Sequence, residues 1–460
     1  MKQMKVVMLF LLALVLIAAP ACSKTEESET PPAAEQTGEQ TEAESQTPEE
    51  EEPPAPEVPA IDMNGYTIKM VHWIDGPQEG TQEGDLAVAR EKEIEEKYNV
   101  NIEWVKVPWG EPPTMITNAA LAGEPVADLV ALDLYHAIPL IRQGLLLPVD
   151  DLFDMNDPKW PVNMKENGSF EGKQYGFTDK ITGSTGLYYN KTLFEREGLP
   201  DPHDLIEQDK WNWDSFLDIA KRATKDTDGD GVVDQWGMTT YLGNLTRLLV
   251  YSNNGNYYEL KDGKYVFSHD NPNTLEALRF LGDLFNVHKV VLPNTHNSFD
   301  DYTESQTVFS SGKAAMINGE LWEGAERKDM TDEQGFVYFP KGPKATEYSN
   351  TIENFVLWYM PANAKHPKET AQIWQDLVLW DRVENAKRED AEKQRLADEK
   401  DVELMVKITD IVTPFFNATG GAVGDAAWGI VNNGETPEAA LERVKQVAQD
   451  SLDQNLNTKP

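Results

Sequence analysis

The sequence predicts an α/β protein in two lobes, and three observations predict it. Segments rich in β-branched and aromatic residues alternate with segments of helical spacing, and a second series of the same kind begins near residue 186. Residues 61–460 also exceed what one hydrophobic core usually holds.

In the first series GYTIKMVHW (65–73) reads as a strand, AVAREKEIEEKYN (87–99) as a helix and NIEWVKV as the next strand. TMITNAALAGE follows as a helix, and ADLVALD (127–133) is a strand with apolar residues on both faces, as a sheet covered on both sides requires. The second series runs from the strand GLYYN (186–190) through the helix WDSFLDIAKRATK to the strand WGMTTY. A hairpin, YYELKDGKYVFS, turns at Asp262-Gly263. Helices at NTLEALRFLGDLFNV and FDDYTESQTVFSS, then strands AAMIN, FVYFP and NFVLWYM, lead to the helix PKETAQIWQDLVLW. Residues 383–407 form a charged helical stretch. TPEAALERVKQVAQDSL is a terminal helix, with Thr436 before Pro437 at its first turn.

The N-terminus carries Lys2 and Lys5, an apolar run from Val6 to Ala18, and small residues before Cys22. That pattern is a secretory signal peptide over residues 1–22, too short in its apolar part to span a bilayer. Cys22 is the single cysteine, so no internal disulfide forms. Ala19-Pro20-Ala21-Cys22 resembles a bacterial lipobox, with Ala19 where leucine is usual, and implies lipidation of Cys22; cleavage at an A-x-A site with Cys22 a bystander is the alternative. Residues 23–60 hold twelve glutamates against Lys24 and no aromatic residue, a composition that cannot offset chain entropy by burial. They read as a disordered acidic tether, whose 38 residues extend at most roughly 125 Å.

The formal charge is −38, of which −29 belongs to residues 61–460. Phosphate binding needs clustered Lys and Arg, so nucleic acid is excluded as a partner. One motif stands out in this acidic body: DTDGDGVVDQWG, residues 226–237. Asp226, Asp228 and Asp230 occupy the first, third and fifth positions of a calcium loop, the Val232 carbonyl the seventh and Asp234 the ninth, with Gln235 able to add an oxygen. Gly237 stands where a calcium sensor has its closing bidentate glutamate, so the expected site is a single structural Ca2+ clip.

Five stretches, in order, resemble one family: GKQYGF to KWNWDSFLDIAKRAT, FSSGKAAMINGELW, FPKGP, ENFVLWYMPANAKHPKETAQIW and NGETPEAALERVKQVAQDSLD. The chain is similar to the extracellular solute-binding proteins of ABC sugar importers, the maltose-binding-protein-like group, over nearly all of residues 65–455. The resemblance implies a periplasmic-binding-protein type II fold, two lobes joined by hinge crossovers. Lobe I would comprise 61–180 and 353–382, lobe II 181–352 and the C-terminal helices 383–460.

It further implies a monomeric, extracytoplasmic, lipid-anchored receptor that holds a carbohydrate between its lobes and delivers it to ABC permease subunits. Sugars present flat C–H faces to aromatic rings and hydroxyls to carboxylates and amides. The candidate ligand residues are therefore Trp73, Trp109, Asp133 and Tyr135 at strand ends of lobe I, and Ser184, Tyr241, Asn244 and Trp322 in lobe II. Glu353 and Asn354 at the second crossover complete the set. Trp104, Trp213, Trp374 and Trp380 fall at core spacing and are left out.

Catalytic motifs are wanting. The seven histidines show no zinc-helix spacing, there is no CxxC pair, and GSTG at 183–186 is not a nucleophile elbow. The expectation is a binding protein and no enzyme. A secreted calcium-dependent glycan-active enzyme with a hidden carboxylate pair, or a binding protein for a peptide or other solute, are the alternatives.

Overall fold

The computed structural model describes residues 61–181, 183–293, 303–353, 355–396 and 398–457. The signal peptide with Cys22, the tether and Asn354 thus lie outside the described residues.

Two four-stranded sheets organise the body. In the first, Tyr66–His72 lies parallel to both Val100–Lys106 and Leu129–Asp133, and Val356–Tyr359 closes the edge antiparallel to Leu129–Asp133. Alternation along a segment does not specify strand direction, and this last strand enters the sheet from the opposite end to the other three. The second sheet is mixed: Thr185–Asn190 runs antiparallel to Ala314–Glu320 and Gln334–Val337, while Trp236–Thr239 is parallel to Ala314–Glu320.

Each sheet has its own hydrophobic core. Ile68, Leu129, Leu132, Phe177, Leu357 and Trp374 belong to one, and Leu187, Phe216, Met238, Ile317, Phe336 and Leu441 to the other. The chain leaves the first sheet after Phe177 bridges Trp358 and enters the second at Thr185. Asn350–Ile352 pairs in parallel with Val412–Pro414, and the next described strand is the edge strand of the first sheet.

Local chemistry explains the main boundaries. The helix Gln82–Tyr98 starts at Thr81, whose hydroxyl accepts from the Gly84 N–H, and ends at left-handed Asn99. Trp213–Ala223 begins with a reciprocal capping box between Asn212 and Ser215. Asp262 and Gly263 both have positive φ, as a two-residue hairpin of this twist requires. The charged tail is two helices, Val383–Lys393 and Glu399–Ile408, because Arg395 between them takes a left-handed conformation. Leu242–Ser252 is a further helix that the spacing did not reveal, since nine of its eleven residues are buried and no polar face marks it.

Candidate functional site

A cleft of about 1220 Å³ opens between the two sheets. Its first wall is aromatic. His72 ends the first strand with its Nδ1 accepting the N–H groups of Trp73 at 2.9 Å and Ile74 at 3.1 Å, which bends the chain away from the sheet. Burial drives the His72 pKa down to about 4, so the ring is neutral and free to accept both bonds. The rings then pack in series: His72 lies 4.4 Å from Trp73 and 5.5 Å from Trp358, and Trp104 lies 5.8 Å from Trp358. The Trp104 indole donates to Glu91 at 2.9 Å. Gly76 rests on the Trp104 ring so closely that a Cβ there would stand 2.5 Å from it.

Farther out, Trp109 meets His136 edge-on at 5.1 Å, and Asp133 holds His136 through the ring Nδ1 at 3.0 Å. Trp109 is 57% exposed. From the second lobe come Glu320, Leu321 and Trp322, where the Trp322 indole donates to Glu320 at 2.7 Å and 44% of the residue stays exposed. The helix Val383–Lys393 supplies Glu389, whose carboxylate accepts the Glu83 N–H at 3.2 Å. That carboxylate therefore sits at the positive end of the helix Gln82–Tyr98, across the rim of the cleft. Arg382 adds a guanidinium bond to Glu83.

Of the sequence-selected residues, Trp73, Trp109, Ser184 and Trp322 line this cleft. Ser184 is buried, and its hydroxyl accepts from Asn350 at 3.3 Å. The others are used elsewhere. Asp133 is buried and caps the helix Leu134–Arg142, and Tyr135, exposed, stands edge-on to His136 outside the lining. Tyr241 donates its hydroxyl to Glu323 at 2.7 Å, and Asn244 accepts from Asn318 at 2.8 Å. Glu353 accepts from buried Arg247 at 2.6 Å. Asp133, Tyr241, Asn244 and Glu353 give their polar groups to partners within the protein instead of to the cleft, while Tyr135 stands in solvent outside it. Trp104, set aside as core, lines the cleft, as do His72 and Trp358. Alternation along NIEWVKV puts Trp104 on a face with Ile102, and nothing local says that this face is open.

In the acidic loop, carboxylate oxygens of Asp226, Asp228 and Asp230 lie within 4.8 Å of one another, all three residues exposed. Asp226 accepts the N–H groups of Gly229 and Gly231, both at 2.7 Å, and Gly231 has φ +89°, the left-handed turn expected there. Lys225 and Gln235 pair across the base of the loop. Asp234 stands outside the group of three, with both oxygens accepting from Thr227. Gln235 is buried, its side-chain carbonyl accepting from Arg196 at 2.7 Å and its amide donating at 2.8 Å to Ala223 at the end of the preceding helix.

Two α/β lobes joined by crossing chain segments around an aromatic cleft define a two-lobed binding protein of the periplasmic type. The sequence profile of the bacterial extracellular solute-binding proteins matches residues 79–378, and the chain belongs to that family. The maltodextrin-binding protein MdxE of Bacillus subtilis (strain 168) is 26% identical over 285 residues, which span 59% of this chain and 64% of that relative. Among solved structures, a cyclo/maltodextrin-binding protein complexed with maltotetraose superposes with a TM-score of 0.65 at 18% identity, covering 84% of this chain and 97% of that one. The maltose/maltodextrin-binding domain from Bdellovibrio bacteriovorus bound to maltotriose gives 0.58 at 17% identity, covering 84% and 99%. CpMnBP1 with mannotriose bound gives 0.59 at 20% identity, covering 83% and 100%. At these identities the structural likeness establishes the fold. Among the described residues no helix is long and apolar enough to cross a membrane.

Proposed function

We propose that this protein is the receptor subunit of an ABC importer, capturing an oligosaccharide in the cleft and presenting it to the permease. The observation that carries the reading is the run of exposed or half-buried rings, Trp73, Trp104, Trp109 and Trp322, on opposing walls of one cleft. Such rings stack on the C–H faces of pyranoses, while carboxylates such as Glu320 and Asp179 accept hydroxyl protons. Ligand touching both walls favours the closed arrangement, and the permease reads that shape. Maltose-type and mannose-type oligomers are the first ligands to try, given what the relatives' names state.

Titration calorimetry with maltotriose, mannotriose and cellotriose tests the reading, with product analysis run alongside. Saturable binding without cleavage is expected. Cleavage of a bound sugar would make the protein an enzyme, and no binding by any oligosaccharide would overturn the sugar reading.

The same proposal has Cys22 lipidated, tethering the body outside the cytoplasmic membrane, and the protein acting as a monomer. The loop at 226–234 fits a hard divalent cation, with Asp226, Asp228 and Asp230 converging and the Val232 carbonyl following at the seventh position. Ca2+ there would neutralise three exposed carboxylates and pin the segment between the helix Trp213–Ala223 and the strand Trp236–Thr239, far in sequence from the rings.

A further inference from the structure

Behind the second wall of the cleft lies a buried polar cluster that no sugar contact explains. Glu323 is 2% exposed and does not line the cleft. Its Oε1 accepts the Tyr241 hydroxyl at 2.7 Å and the Glu320 N–H at 2.8 Å. Its Oε2 accepts from the Gln306 amide and faces the Arg327 guanidinium at 3.5 Å. The strand approaches so closely at Gly319 that a Cβ there would stand 2.6 Å from Oε2.

Arg327 is itself buried, with the Tyr188 ring 4.1 Å and the Phe309 ring 5.1 Å from its guanidinium. It also donates to Gln306 at 2.7 Å and Gln334 at 3.2 Å, and its carbonyl accepts from Arg395. Among the described residues the charged or titratable groups around Glu323 are thus Tyr241, Arg327, Glu320 and Tyr188, with half-buried Glu304 on the helix that carries Gln306.

We propose that Glu323 is a positioning residue for the cleft: its carboxylate ties the Glu320–Trp322 turn to Tyr241, and its protonation loosens that wall and weakens ligand capture. This rests on the oligosaccharide reading for its ligand arm alone. Every approach to the carboxylate is occupied by a donor, and a carboxylate has acceptor sites only. A proton on Oε1 displaces the Glu320 N–H or obliges the Tyr241 hydroxyl to turn round and accept, and a proton on Oε2 meets the Gln306 amide and the Arg327 guanidinium, which can only donate. Loss of the charge also leaves Arg327 as an uncompensated buried cation.

Burial, opposed by the bonds from Glu320 and Tyr241 and by Arg327, pushes the Glu323 pKa up to about 7, so the change falls at neutral pH. The two linked properties run in opposite directions. A folded-state pKa raised above the ordinary 4.5 means that Glu323's contribution to stability is full below 4.5 and is lost as pH rises through about 7. Ligand affinity does the reverse, falling as pH drops. Acid weakening of binding without this group weakening the fold separates a positioning role from a structural one.

The test is a pH titration of Trp322 emission in the ligand-free full-length protein, taken as the difference from W322F, together with maltotriose calorimetry. A one-proton transition near pH 7 is expected, absent from E323Q. It should move to higher pH in Y241F, which removes a donor to the charged form. If only the ionised form binds, maltotriose affinity falls about tenfold between about pH 8 and pH 6, and by none of that in E323Q. Should E323Q fail to fold, the Y241F midpoint decides, and an unmoved midpoint overturns the proposal. So does a transition that survives E323Q, or one absent from the wild-type protein. Failure of maltotriose to bind at either pH would count against the sugar ligand, with the emission titration still deciding the role of Glu323.

Discussion

Replacing Trp322 with alanine separates binding from folding in one experiment. The side chain leaves 44% of its surface open, and on a ring system of up to about 250 Å² that is about 110 Å² for a ligand to cover. At about 25 cal/mol per Å², full coverage is worth about 2.7 kcal/mol and half coverage about 1.4. W322A should therefore weaken the tightest-binding trisaccharide between roughly tenfold and a hundredfold. Because the residue is already half in solvent and its indole bond goes to Glu320, urea unfolding should move by less than about 1 kcal/mol. Calorimetry and denaturation of one preparation give both numbers. Unchanged affinity with unchanged stability would refute the assignment of this ring to the ligand. A large stability loss would make Trp322 a packing residue.

Three further outcomes follow from the geometry. Adding Ca2+ to chelator-treated protein should raise its melting temperature, and D228N with D230N should abolish the rise while sparing sugar binding; an unchanged melting curve would remove the metal. Gly76→Ala drives a methyl into the Trp104 ring, where 2.5 Å separates them, so it should cost about 1–3 kcal/mol in urea unfolding and shift ligand affinity with it. His72 prefers to be neutral when folded, with its pKa lowered from 6.5 to about 4, so stability should be lost as pH falls through that window. H72Q should flatten the acid limb of a thermal-stability profile, and an unaltered limb would show that other groups set it.

Alternation and helical spacing located most of the strands and helices, because burial of one face is a local pattern. The hairpin was legible from Asp262-Gly263, whose positive φ values only a few residue types accept. The antiparallel edge strand was not, since direction depends on where the chain comes from. The site was legible in kind but less so in membership. Trp73, Trp109 and Trp322 stand at ends of strands, where a side chain has no second layer above it. Tyr241, Asn244 and Glu353 occupy similar places, yet Glu323, Asn318 and Arg247 claim their polar groups. No single-sequence signal links residues so far apart. Gln235 shows the same effect in the loop: the spacing offers its amide to a metal, and Arg196 takes it.

The edge strand of the first sheet has a consequence for how the chain matures. Val356–Tyr359 pairs with Leu129–Asp133 across about 220 intervening residues, and the whole second sheet, residues 185–337, is threaded between them. At about 5–20 residues per second, that interval lasts roughly 10 to 45 seconds during synthesis. Throughout it Leu129–Asp133 is an unpaired strand edge of fully buried residue types, the kind of surface that invites foreign strands. The guest lobe can assemble its sheet first, and the host waits for its own last piece. A chain with that order of assembly gains from being kept extended until its end has emerged.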